Sequence, residues 1–147
     1  MIWGDTPCGF SYRPSEGASG GLITLWDTSR VDVCSTMSFG GVLIIRGKII
    51  DSGEEFAICN VYAPCDSVAK RELWERLIFV ITNNGDICLC LCGHFNVVRH
   101  EEERKGRGTI FRQADADMFN NFIVDGALID IPICGRLLLG TVVTVFL

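Results

Sequence analysis

The run Ile87–Cys92, ICLCLC, constrains the fold of this chain more than any other feature. It is continuously apolar, of strand length, and has no polar face. Such a run fits a central strand buried on both sides, which requires a layered domain with material on each face. Just before it the hydrophobic period changes. From Val68 to Thr82, Ala69, Leu73, Leu77 and Ile81 recur every four residues with Trp74 and Ile78 beside them, while Lys70, Arg71, Glu72, Glu75 and Arg76 lie largely off that face. This spacing predicts an amphipathic helix, with Ser67 as its cap and Asn83-Asn84-Gly85 as its stop. Upstream, Gly20–Trp26, Val31–Ser35, Val42–Ile50 and Glu55–Tyr62 are rich in branched and aromatic residues and read as strands. Asp51-Ser52-Gly53 reads as a hairpin turn, and Pro64 closes the last run because it offers no amide hydrogen to a ladder. Downstream, a polar stretch, Arg99–Gly108, leads to a second helix over Gln113–Asp125, with Ala114, Met118, Phe119, Phe122 and Ile123 on one side. Gly126 ends that helix, and a short strand, Leu128–Ile131, is expected after it. This order predicts an α/β domain with a mixed sheet.

The chain has 147 residues, room for one domain with a core; 48% hydrophobic and 21% charged residues exclude a disordered class. A formal charge of −5 argues against a protein that grips nucleic acid mainly through its phosphates. It leaves open an enzyme that reaches phosphate through a bound cation, whose charge reverses the local field. Of the eight cysteines, Cys88, Cys90 and Cys92 alternate and share one strand face, which is neither metal-binding CxxC spacing nor a geometry for bridging. They are expected to be reduced, buried small hydrophobes. Met1–Asp5 shows no signal-peptide pattern, and the apolar tail Leu137–Leu147 is eleven residues long. A membrane span needs about 20 residues, so no membrane role is expected and the location expected is intracellular, cytoplasmic or nuclear.

Two segments carry a family resemblance: Asn60-Val61-Tyr62-Ala63-Pro64 at one strand end, and Leu91-Cys92-Gly93-His94-Phe95-Asn96 at the next, with the first helix between them. The order resembles the N-x-Y-x-P and G-D-F-N strand ends of the endonuclease/exonuclease/phosphatase superfamily. Gly17–Leu22 (GASGGL), Asn96–Arg99 (NVVR) and Gly126–Asp130 (GALID) look like its LINE-type branch, the endonuclease domains of non-LTR retrotransposons. The resemblance covers Phe10 to Arg136. It implies a four-layered α/β/β/α sandwich, DNase I-like, which cleaves phosphodiester or phosphomonoester bonds with Mg²⁺ or Mn²⁺ and has DNA as partner. In this chain it implies that Tyr62 touches the scissile phosphate or helps activate the nucleophile. Asn96 holds the phosphate, and His94 occupies the position of the Asp that orients or deprotonates water.

The chain also departs from that pattern. An imidazole at position 94 accepts a proton but brings no negative charge to favour a metal. The superfamily's N-terminal Asn, its metal-ligating Glu and its closing Ser-Asp-His have no counterpart here. After Arg136 the sequence runs into Leu137-Leu138-Leu139-Gly140-Thr141-Val142-Val143 instead. The reading is therefore a partial domain over residues 1–136, incomplete at both ends, with a divergent apolar tail over residues 137–147. It is expected to be catalytically inactive, to bind metal and DNA weakly or not at all, and to aggregate through exposed strand edges. The alternative is a non-enzymatic remnant or binding module. Simpler readings stand beside the specific ones. Tyr62 also reads as an ordinary half-buried aromatic, and His94 as a loop histidine with no task. His100-Glu101-Glu102-Glu103 lacks H-E-x-x-H spacing and reads as a solvated loop; Glu103–Arg107 reads as an exposed charge run or a contact to DNA phosphate.

Overall fold

The computed structural model describes residues 6–15, 17, 20–84, 87–101 and 111–129. Its strands are β1 (Cys8–Arg13), β2 (Leu22–Asp27), β3 (Val31–Phe39), β4 (Val42–Ile49), β5 (Glu55–Tyr62) and β6 (Cys88–His94), and its helices are α1 (Ser67–Thr82) and α2 (Gln113–Asp125). β1 and β2 form an antiparallel pair, and the other four strands form one sheet in the order β3-β4-β5-β6. The first three run antiparallel to their neighbours; β6 is parallel to β5, with α1 as the crossover.

The two faces of the four-stranded sheet are covered differently. Val42, Ile44, Ala57, Cys59, Val61, Leu89 and Leu91 point at the helices and pack with Leu73, Trp74, Leu77 and Ile81 of α1 and Phe119, Phe122 and Ile123 of α2. Trp74 is the hub, its ring centroid 5.9, 5.3 and 4.9 Å from those of Phe95, Phe119 and Phe122. On the other face the β1–β2 hairpin lies over β4 and β5. The Asn60 side-chain amide donates across to the Ile23 carbonyl at 3.1 Å and to Thr24 Oγ1 at 3.2 Å. The described residues thus supply three layers of an α/β/β/α sandwich: helices, main sheet and hairpin. Among them, no helix is long and apolar enough to cross a membrane.

Several sequence expectations are corrected. β1 was not anticipated, because Gly9 and Ser11 interrupt its apolar positions. β3 continues past Ser35 to Phe39, passing a register shift between Val33 and Ser35. α1 is capped by Asp66, not Ser67: Asp66 Oδ1 accepts from the Val68 and Ala69 amides at 3.1 and 2.9 Å. A carboxylate there also meets the positive end of the helix dipole. The Ser67 hydroxyl instead donates to Asp115 Oδ1 at 2.7 Å, and the Lys70 ammonium donates to Asp115 Oδ2 at 3.0 Å. Lys70, expected off the apolar face, is only 3% exposed because this pair joins α1 to α2. The start of the expected helix stop holds, with Asn83 as the C-cap; Gly85 lies outside the described residues. In α2 the buried face is Asp115, Ala116, Phe119, Phe122 and Ile123, so Ala114 is exposed and the face is rotated from the one expected.

The strand expected to be central and buried on both faces is neither among the described residues. Among the described residues β6 is the last strand of its sheet, with Leu89 and Leu91 buried and Cys88, Cys90 and Cys92 half-buried on the opposite side. A run without polar residues cannot reveal which of its faces is covered. Among the described cysteines all are free, and only Cys59 is fully buried; Cys8, Cys34 and Cys65 are exposed. Leu128 and Ile129 follow the α2 cap without forming a strand. The rest of that expected strand, the charge run Glu103–Arg107, and the tail 137–147 lie outside the described residues.

Candidate active site

Tyr62, His94 and Asn96 lie together at the ends of two adjacent parallel strands. Tyr62 and His94 are register partners, and their rings stack with centroids 5.7 Å apart at 26°. The chain holds this end closed with backbone. The Ala63 amide donates to the His94 carbonyl at 2.8 Å, and the Tyr62 amide donates to the Gly41 carbonyl at 2.7 Å. Two glycines make the approach possible. A Cβ on Gly41 would stand 2.0 Å from the Tyr62 oxygen, and a Cβ on Gly93, whose φ is +130°, would stand 2.0 Å from the Val61 oxygen.

The pleat then separates tasks by residue. Phe95 turns into the helix side and is fully buried, anchoring the β6 exit against Trp74 and Phe119. Tyr62 and His94 point away from the helices, half-buried and exposed respectively. Asn96 adopts φ +50°, a left-handed conformation that asparagine tolerates, and its amide nitrogen donates to the Ala63 carbonyl. This bond ties the β6 exit to the β5 exit and commits one of the amide's two functional atoms. The loop beyond is fastened by Arg99, whose Nε donates to Asn120 Oδ1 of α2 at 2.9 Å.

Beside Tyr62 lies a cleft of about 340 Å³ whose lining includes Arg13, Gly40, Gly41, Glu72 and Arg76. Sequence reading missed it, placing Glu72 and Arg76 only as residues largely off the apolar face of the helix. The signal was the spacing: Ala69, Glu72, Leu73 and Arg76 recur as one face of α1, turned toward the Tyr62 strand end. The neighbouring cysteines are poor nucleophiles. The hydrogen bond with Cys90, followed by burial, pushes the Cys92 thiol well up. Burial pushes Cys59 up to about 12. Each stays protonated at neutral pH, and a thiol reacts as its thiolate.

No protein-family profile matches the sequence, and no curated protein matches it significantly. Solved structures do match the fold. An endonuclease/exonuclease/phosphatase family protein from Bacteroides thetaiotaomicron superimposes with a TM-score of 0.54 at 17% identity, over 78% of this chain and 45% of its own. A mannosyl-6-phosphatase from Bacteroides thetaiotaomicron VPI-5482 gives 0.50 at 18% identity, over 83% of this chain and 50% of its own. The chain thus has a DNase I-like fold. A functionally unknown conserved protein from Enterococcus faecalis V583 shares it, with a TM-score of 0.54 at 15% identity over 82% of this chain and 51% of its own. The chain spans about half the length of the solved structures it matches.

The superfamily resemblance implies a hard divalent cation, which requires carboxylate oxygens at this end of the sheet. Among the described residues no group of three or more His, Cys, Asp or Glu side chains is placed to hold a metal ion. The lining of the Tyr62 cleft contains one carboxylate, Glu72, and position 94 carries an imidazole.

Proposed function

We propose that this chain is an endonuclease-like domain of the LINE-type retrotransposon branch that retains part of a phosphodiesterase site and does not hydrolyse phosphodiesters. The observation that carries the reading is the pairing of Tyr62 with His94 at adjacent strand ends of a DNase I-like sheet, with Asn96 beside them. In this reading Tyr62 contacts a phosphate oxygen through its hydroxyl and Asn96 supports it. His94 stands where a carboxylate would favour a cation and an approaching proton. Exchanging that carboxylate for a neutral ring removes the charge while keeping a proton acceptor, and a general base without a held metal lacks the Lewis acid that makes phosphorus attackable. DNA is the partner class, held weakly, since a net charge of −5 opposes phosphate binding at long range. The exposed apolar face of the hairpin favours self-association, which size-exclusion chromatography measures.

The internal commitments of these side chains favour a second reading, a non-enzymatic remnant or binding module. Asn96 donates to Ala63, and His94 stacks on Tyr62, so both have structural roles without any substrate. Calorimetric titration with Mn²⁺ and Mg²⁺ tests the first reading: no one-to-one binding is expected, and a stoichiometric site would overturn it. The retroelement origin is tested on genomic DNA flanking the coding segment. Codons for a metal-ligating Glu upstream and a Ser-Asp-His downstream are expected; unrelated flanks contradict that origin.

A further inference from the structure

α1 and α2 lie side by side and run in the same direction. The Lys70 ammonium donates to Asp115 near their N-terminal ends, Trp74 stacks on Phe122 midway, and Ile81 lies beside Gly126 at their C-terminal ends. Between them runs a groove of about 680 Å³, on the flank of α1 opposite the Tyr62 cleft. Its floor is apolar: Trp74 and Phe122 are nearly buried, Ile78 and Met118 half-buried. Its rim is charged and exposed, with Glu75, Asp117 and Asp125 set against one cation, Arg71. Among the described residues none of these three carboxylates is in an ion pair; Asp117 Oδ1 accepts from the neutral Gln113 amide at 2.8 Å. At the C-terminal end of the groove the apolar side chains of Phe79 and Val124, neighbours in sequence of Ile78 and Asp125, are 69 and 75% exposed.

We propose that this groove docks a basic amphipathic helix of a protein partner. Both walls are helices whose backbone groups are bonded internally, so the groove offers no ladder edge to an extended peptide. A helical occupant satisfies its own backbone and needs only side-chain contacts. The lining of α2 runs from Ala114 to Asp125, about 16 Å at a rise of about 1.5 Å per residue, which accommodates roughly three turns of a third helix. The apolar floor takes side chains at i, i+3, i+4 and i+7 of that helix. The carboxylates stand on both sides of the floor, Glu75 on α1 and Asp117 and Asp125 on α2, and so meet Lys or Arg flanking the apolar stripe. An acidic helix would face like charge at all three, with Arg71 alone in its favour. The exposed Phe79 and Val124 extend the apolar surface past the end of the groove, as a protein interface requires and a solvated helix face does not. The assignment is independent of the phosphate-ester reading of the Tyr62 strand end.

The test is fluorescence anisotropy on the full chain at low salt, where exposed charges are little screened. The probe is a labelled peptide of about 14 residues with Leu and Lys at amphipathic helical spacing. One control is a scrambled peptide of the same composition, which keeps the charge and loses the apolar stripe; the other carries Glu in place of Lys. Saturable one-to-one binding is expected for the Leu–Lys helix, and binding about tenfold weaker or less for both controls. The double variant Asp117→Lys/Asp125→Lys should weaken the Leu–Lys helix about tenfold, since two exposed attractions become repulsions, and should strengthen the Leu–Glu helix. Met118→Ala, in the floor, should weaken the Leu–Lys helix about fivefold. Circular dichroism checks that the variants fold, and Glu75→Lys replaces the double variant if that one does not. Absence of saturable binding overturns the proposal, as does equal binding of the scrambled peptide or binding that the double variant leaves unchanged. Binding lost in Phe10→Ser instead assigns the peptide to the hairpin and overturns it too. A dimer on size exclusion that the double variant dissociates puts a second copy in the groove and overturns the assignment to a basic helix.

Discussion

The two faces of the main sheet teach different things about this chain. On the helix face, Val42, Cys59, Val61, Leu77, Leu89 and Leu91 are completely removed from solvent, and three phenylalanine rings interlock around Trp74. On the other side, the hairpin buries Leu43 and Ile45 but turns a second apolar surface outward. Phe10, Tyr12, Ile23 and Leu25 are 61, 65, 56 and 42% exposed, and the register pairs Phe10 with Leu25 and Tyr12 with Ile23. The same alternation that builds a two-sided hairpin thus gives it a dry face and a wet one. The contrast assigns stability to the helix face. The Tyr62–His94 pair projects from the hairpin side, where side chains remain accessible to a ligand.

Substitutions that distinguish the faces should differ several-fold. Trp74→Ala removes the hub of the aromatic cluster and should destabilise the domain by about 3–5 kcal/mol in urea unfolding. A loss under about 1 kcal/mol would mean that the helices do not hold the sheet. Next comes the polar pair inside the helix face. Lys70→Met leaves Asp115 buried without its cation and should cost about 3 kcal/mol near neutral pH. Burial pushes the Asp115 carboxyl up, but the Ser67 hydroxyl and the Lys70 ammonium outweigh it and hold the group below its ordinary value. A carboxyl lowered on folding contributes stability above its unfolded pKa of about 4 and loses that contribution as pH falls through the lower folded value. The gap between the original chain and Lys70→Met should therefore shrink in acid, as protonation removes the unpaired charge. A gap that widened with falling pH would contradict the pair's assigned role. The smallest effect belongs to the hairpin. Phe10→Ser on its outward face should change stability by no more than about 0.5 kcal/mol and reduce self-association on size exclusion. A large loss of stability there would show that Phe10 is covered in solution.

What the sequence made legible follows the same division. Alternating strands, the period of α1, the whole span of α2 and the two strand-end motifs could be read because each is set by local pattern and by residues that punctuate it. The juxtaposition of Tyr62, His94 and Asn96 was also expected, since motifs that end adjacent parallel strands must share one edge. What failed depended on distant partners. Lys70 looked like a surface lysine because its reason for burial, Asp115, lies on the other helix, 45 residues away. The cysteines of β6 looked like core because an uninterrupted apolar run does not say which neighbour covers each side. The cleft residues Arg13, Glu72 and Arg76 come from two elements that no local window contains.

On the proposed reading, an Asp at position 94 does not by itself make the Tyr62 strand end hydrolytic. Nicking of supercoiled plasmid in Mg²⁺ by His94→Asp, beside an Asn96→Ala control prepared identically, tests it most directly. The restored carboxylate would stand beside Tyr62, with no group of three potential ligands among the described residues to hold a cation with it. Both variants and the original chain should leave the plasmid supercoiled. Metal-dependent nicking by His94→Asp above the Asn96→Ala control would contradict it.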